Sequence, residues 1–191
     1  MKITNRLHQI WIFIFLVASG FTLQAQEKFT ISNHKILIEG TSNIHDWEMD
    51  VEKVNGFIEM KTENDEITIS NMSLTIPVKS MKSGKGKMDS NTYEALKEKK
   101  NPNITFSFLE TTKVEKTGNS TYKIDIKGKL TIAGNTQSVV IPIVIDTQKT
   151  NLTASYNLNM TDFGVDPPTA VFGTIKTGDA VSLNFNLNYT K

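Results

Sequence analysis

From Leu183 to Tyr189 an apolar side chain stands at every second position, with Asn184, Asn186 and Asn188 between them. Successive side chains of a strand point to opposite faces, so this segment has one apolar and one polar face. The same period of two recurs at Ile104, Phe106 and Phe108, at Tyr122, Ile124 and Ile126, and at Leu152, Ala154, Tyr156 and Leu158. Helical spacing occurs convincingly in one place. The chain therefore reads mostly as half-buried antiparallel sheet.

Alternation and turn residues place eight strands, near 28–38, 47–60, 66–78, 103–115, 121–132, 138–147, 151–160 and 180–189. Their connections carry turn chemistry: Glu63-Asn64-Asp65, Thr117-Gly118-Asn119, Ala133-Gly134-Asn135 and Gln148-Lys149-Thr150. Short links imply a meander of sequential neighbours. In the second strand the apolar phase shifts from Met49 and Val51 to Val54 and Ile58, which predicts a bulge at Glu52 and Lys53. Asn91 to Lys97 reads as a short helix, with Asn91 and Glu94 spaced like a capping box and Pro102 closing the run. It follows a lysine-rich loop, 80–87, so a long excursion of the kind that forms a lid or portal separates strands three and four. An eight-stranded meander closes as an up-and-down barrel or folds as a sandwich. Pro142 donates nothing to a ladder and predicts a bulge or seam in its strand.

The first 25 residues stand apart. Lys2 and Arg6 precede an apolar run from Ile10 to Ala18, then Ser19, Gly20 and Leu23-Gln24-Ala25, the pattern of a cleavable secretory signal peptide. The run is shorter than a membrane span requires. Residues 26–191 then form one domain large enough to bury a core unaided, and the chain has no cysteine with which to staple it. Taking Lys2 and Arg6 from the 21 basic residues leaves 19 against 20 acidic ones, a formal charge of −1. Arg6 is the sole arginine, so the exported domain has no guanidinium fork for phosphate or guanine, which argues against sequence-specific nucleic-acid binding.

Period two aims Phe106, Phe108, Ile124, Ile126, Ile141, Ile143, Tyr156, Leu158, Leu183, Phe185 and Leu187 to the inside. An eight-stranded interior is wide enough to be filled by side chains or to hold one small ligand, and alternation does not decide between the two. Ile44-His45-Asp46-Trp47 joins the first two strands, with Trp47 placed to plug a barrel end. His45 and Asp46 offer either a turn with a polar contact to a ligand head or an acid–base pair for an enzyme of unstated reaction. No HxH or HExxH pattern supports zinc, and no G-x-S-x-G elbow supports a hydrolase. Lys79, Lys82, Lys85 and Lys87 suit either a solvated loop or transient contact with an anionic headgroup or membrane surface. Tyr93 and Leu96 on the helix are placed to pack over a barrel mouth. An integral outer-membrane barrel is the competing class, but the faces opposite the apolar set hold Asn184, Asn186, Asn188, Lys123, Asp125 and Lys127.

Five strings in order and spacing, residues 40–58 (GTSNIHDWEMDVEKVNGFI), 82–97 (KSGKGKMDSNTYEALK), 101–108 (NPNITFSF), 128–143 (GKLTIAGNTQSVVIPI) and 160–165 (MTDFGV), resemble the YceI-like family across almost the whole exported chain. The chain departs from the family pattern ahead of Asp162-Phe163-Gly164, where Asn159, Met160 and Thr161 take the place of a basic residue. The resemblance implies an extended lipocalin-like antiparallel barrel of eight strands with a helix, non-covalent binding of a long-chain isoprenoid or other lipid inside it, and a periplasmic location. It implies no cofactor and no catalysis. On this expectation Trp47 and the inward set line the lipid site, while His45, Lys85, Lys87, Tyr93 and Leu96 form its headgroup contact or portal.

Overall fold

The computed structural model describes residues 26–191, and the expected signal segment lies outside them. The strands are β1 (Glu27–Ser42), β2 (Trp47–Val51), β3 (Asn55–Glu63), β4 (Glu66–Pro77), β5 (Met81–Lys82), β6 (Asn103–Lys116), β7 (Thr121–Ile132), β8 (Asn135–Asp146), β9 (Asn151–Asn159), β10 (Thr169–Ala170) and β11 (Ile175–Thr190), with one helix, α1 (Gly86–Ala95), between β5 and β6. All pair antiparallel. The long strands follow one another in a meander, and β11 returns to pair with β1 along its length, from Thr30 opposite Thr190 to Ser42 opposite Thr177. That last ladder closes an eight-stranded barrel, with the wall thinned where β4 and β6 pair only over Ser73–Pro77 and Asn103–Ser107.

The expected second strand is one stave in two pieces. Instead of a bulge at Glu52 and Lys53, the chain breaks fully between Val51 and Asn55. β2 pairs with residues 37–40 of β1 and with β5, whereas β3 pairs with residues 27–30 of β1 and with β4. The break exposes the Val51 carbonyl, and Nε2 of His34 lies 3.1 Å from it as its hydrogen-bond partner. Glu52 N–H donates to the Ser80 carbonyl at 2.8 Å.

The helix begins five residues before its expected start, and Asn91 sits inside it instead of capping it. Its first turn is fixed by Asp89, a buried carboxylate that accepts from the Ser83 N–H at 2.8 Å and the Ser83 hydroxyl at 2.6 Å. Burial pushes this carboxyl up, but the two Ser83 bonds and the nearby Lys82 ammonium outweigh it and hold it below its ordinary value. A local clamp thus replaces the expected capping box.

Pro142 lies in register opposite Asp125 with no bulge in the β7–β8 ladder. The β8–β9 ladder, however, runs only from Ile143–Ala154 to Asp146–Asn151 and stops beside the proline. The expected seam is therefore present. Beyond it β8 and β9 part, and side chains bridge the gap: Gln137 Nε2 donates to the Asp162 carbonyl at 2.9 Å and Asn135 Nδ2 to the Phe163 carbonyl at 2.7 Å.

The two barrel ends differ. The end carrying the 63–66, 116–121 and 146–151 turns is solid: Tyr122, Ile124, Ile145, Leu152, Leu187 and Tyr189 are all buried there. Phe29 meets Tyr189 edge to face at 5.4 Å. Tyr122 donates its hydroxyl to the Asp65 carbonyl at 3.2 Å, and Tyr189 donates to that of Asp146 at 3.4 Å. Burial, then the Asp146 charge, pushes the Tyr189 phenol up to about 12.

This shift makes the plug sensitive to alkali. An unfolded tyrosine ionises near about 10, so between that pH and about 12 the folded chain keeps a proton that the unfolded chain releases, and stability falls as pH rises through the window. Urea unfolding across the window should show Tyr189→Phe with a shallower alkaline decline than the parent. Equal slopes would place the ionisation elsewhere.

Candidate functional site

The opposite end of the barrel gathers the 42–47 link, α1, the β7–β8 turn and the 160–174 segment. Beneath them lies a cavity of about 400 Å³ that runs down among the strands and opens at this end. Its wall can be followed strand by strand. Along β8, Ile145 and Ile143 are buried, whereas Ile141, nearer the mouth, is only half-buried although it points inward. On β9, Leu152 is buried and Ala154, Tyr156 and Leu158 are half-buried. On β11, Leu187 is buried while Phe185 and Leu183 are half-buried. Inward apolar side chains that keep accessible surface face empty volume, so the interior changes from packed core to hollow about halfway along the barrel.

Of the expected lipid-site residues, Trp47, Phe106, Ile126, Ile141, Ile143, Tyr156, Leu158, Leu183, Phe185 and Leu187 line this cavity, as do His45, Lys85, Lys87 and Leu96 from the expected mouth. Three do not. Ile124 lies in the solid plug. Phe108 packs against the core, but the β6–β7 register shifts just beyond it, and the Phe106 ring covers the inner face of its partner Gly128, where a Cβ would stand 2.3 Å from that ring. Tyr93 turns away to anchor the loop: its hydroxyl donates to the Met81 carbonyl at 2.9 Å and accepts from Lys82 Nζ at 2.8 Å. That bond to Tyr93 is the main reason the Lys82 ammonium is held above its ordinary value.

Other lining residues come from expected strands whose side chains fall outside the expected site. Ile36 and Ile38 of β1 and Met72, Leu74 and Ile76 of β4 complete the wall, and their period of two was readable. Phe163 and Val165, in the turn after β9, close the seam side. No sequence periodicity marks them, because an irregular segment has none.

The mouth is polar. Ser42, His45, Lys85, Lys87, Asn91 and Thr92 border it. Among the described residues no carboxylate lines the cavity, and below the mouth their one ionisable side chain in the lining is Tyr156, whose phenol burial, then the Asp162 charge, pushes upward. Trp47 lies flat on Gly40: a Cβ there would come within 2.2 Å of the indole, so glycine is what lets the ring settle on the sheet. Its N–H donates to the Thr41 carbonyl at 2.9 Å. His45 is exposed, and its Nδ1 partner at 2.7 Å is the Asp46 backbone carbonyl, so that side chain is oriented by main chain instead of by a carboxylate. Among the described residues, no group of three or more His, Cys, Asp or Glu is arranged to hold a metal.

A closed antiparallel meander with a packed floor, an apolar hollow and one polar mouth defines a lipocalin-type barrel. The chain belongs to the YceI-like family: the YceI-like domain matches residues 24–189. Among solved structures it resembles Burkholderia cenocepacia BcnA, at 18% identity over 83% of this chain and 96% of that one, with a TM-score of 0.62. It also resembles a polyisoprenoid binding domain from Saccharophagus degradans implicated in plant cell wall breakdown, at 10% identity over 84% and 97% of the two chains, TM-score 0.63. The Campylobacter jejuni YCEI protein aligns over 100% of this chain and 99% of its own, at 18% identity and a TM-score of 0.53. At these identities the likeness shows the fold. No protein of curated function matches the chain.

The change from floor to hollow has a mutational signature. Ile145→Ala in the packed half, away from the cavity, should cost about 2–5 kcal/mol, whereas Leu183→Ala, whose side chain already borders empty space, should cost less than half as much. Urea denaturation of the ligand-free variants checks this, and equal losses would mean that the barrel is filled throughout.

Proposed function

We propose that this protein holds a long-chain isoprenoid or related lipid non-covalently in the barrel, as a periplasmic carrier or sequestering protein that uses no cofactor. The observation that carries the reading is the apolar hollow: about 400 Å³, open at one end, lined by Phe185, Leu183, Leu158 and Ile141, and free of carboxylates. A volume of this size lies within the range of small-molecule sites. Each buried methylene contributes about 0.8 kcal/mol, so about ten or more chain carbons offset the lost ligand freedom and leave affinity near the micromolar range. The tail runs toward the floor, and Lys85, Lys87 and His45 at the mouth meet a polar or anionic head.

Family membership and the printed description of the Saccharophagus domain as polyisoprenoid binding support the ligand class. The signal-like pattern of residues 1–25 supports export. The outer wall argues against a membrane-spanning barrel: Asn184 bonds Glu39 at 2.7 Å and Lys127 pairs with Glu110 at 2.8 Å where a lipid-facing wall would be apolar. The main-chain partner of His45 argues against an acid–base pair.

Trp47 is the tryptophan left once Trp11 is removed with the signal segment, so it reports on the mouth directly. Organic extraction of the purified exported protein should release a long-chain lipid identifiable by mass spectrometry. A prenyl or acyl probe should change Trp47 emission saturably, and Ala154→Phe, which fills the hollow between Ile143 and Phe185, should weaken that titration by about tenfold or more. Absence of both lipid and saturable binding would end the proposal.

A further inference from the structure

We propose that the open end of the barrel docks onto a phospholipid bilayer by inserting the tips of two neighbouring loops, Ile44 from the β1–β2 link and Val171-Phe172 from the β10–β11 turn. These are the most exposed large apolar side chains of the described residues, at 57%, 61% and 108% of full exposure. Isolated exposed apolar residues are ordinary. Three features distinguish these.

The first is backbone conformation. Val171 and Phe172 stand at φ of 50° and 53°, followed by Gly173 at 83°, a left-handed turn in which Asn and Gly are the residues expected. A β-branched residue and an aromatic there are disfavoured locally, and nothing in the packing compensates, since both face outward. The second is that the two loops form one platform. Asn43 N–H donates to the Lys176 carbonyl at 3.1 Å, Lys176 N–H to Asn43 Oδ1 at 2.8 Å, and Asn43 Nδ2 to the Thr174 carbonyl at 3.0 Å. The third is position. Thr169, Ala170 and Ile175, which flank the tip, line the mouth of the cavity along with His45, Lys85 and Lys87.

Charge complementarity selects the bilayer as partner. Lys85 and Lys87 line the mouth itself, where they suit anionic headgroups, and Lys176 stands beside the tip; the carboxylates of the adjoining loops are Asp46, Asp162 and Asp166, with Asp179 tied to Thr161. Narrow apolar points above a cationic rim suit an interface that yields to penetration, as the headgroup layer does. The inference rests on the lipid-holding reading for its purpose: a cargo with a long apolar tail would pass between bilayer and hollow without crossing water.

The test is flotation of the exported protein with vesicles of phosphatidylethanolamine and phosphatidylglycerol, beside the variant Val171→Asn/Phe172→Gly, whose residues suit the left-handed turn and touch nothing in the hollow. The parent should float, and the variant should lose about tenfold or more of its vesicle partition while its Trp47 titration with probe is unchanged. Lys85→Gln/Lys87→Gln should weaken flotation on vesicles containing phosphatidylglycerol. A parent that does not float, as expected if the tips serve a protein partner, or a tip variant that floats equally well, overturns the docking surface and leaves the cavity reading intact. Tip-dependent flotation together with failure of every probe to bind would keep the docking surface and overturn the cavity reading.

Discussion

The β1–β11 ladder is the pairing on which the rest depends. By joining the first and last long strands it converts a meander into a closed wall, and closure fixes the interior volume that side chains must fill or leave empty. In one half, isoleucines, leucines and two tyrosines fill it. In the other, the strands flank a ring of loops and α1, and the inward side chains of β8, β9 and β11 border the cavity. An open sheet would collapse onto such a gap; a closed ladder holds its walls apart. The hollow is thus a property of topology as much as of composition.

The wall is not uniformly sealed. Pro142 ends the β8–β9 ladder at Ile143, and beyond it the bridge consists of two side-chain amides bonded to the Asp162 and Phe163 carbonyls. Side-chain bridges of this kind open at less cost than a continuous ladder. The floor is the opposite case: tyrosine hydroxyls tie it to the turns, and Asp146 accepts from the backbone N–H groups of Lys149 and Gln148 and from the Ser120 hydroxyl. Those bonds, led by the Lys149 N–H, hold the Asp146 carboxyl below its ordinary value. The chain therefore concentrates its order at one end and its openness at the other, as a container requires.

Much of this was legible in the sequence. Period two identified the long strands, and turn residues such as Asn64-Asp65 and Ala133-Gly134, all but the glycine at positive φ without being glycine, marked the hairpins. Pro142 announced the seam. The broken second stave was less legible, because a phase shift looks alike whether the strand bulges or stops, and pairing with both halves of β1 decides which. The early start of α1 was hidden because Ser83 and Asp89 make their clamp through folded geometry instead of through a capping motif. Alternation assigned Ile124 and Leu183 to the same inner surface, yet one lies in the floor and the other beside the hollow. Periodicity reports which way a side chain points and is silent on what stands opposite.

The central claim is that a lipid chain occupies the mouth half of the barrel and stops at the floor. The most direct measurement is of intermolecular nuclear Overhauser effects between a long-chain prenol and the methyl groups of the protein. The account predicts contacts to Ile141, Leu158 and Leu183 and none to Ile124 or Ile145, which lie in the packed half. Contacts confined to outward methyls such as those of Val140 and Val144, with none inside, would contradict it.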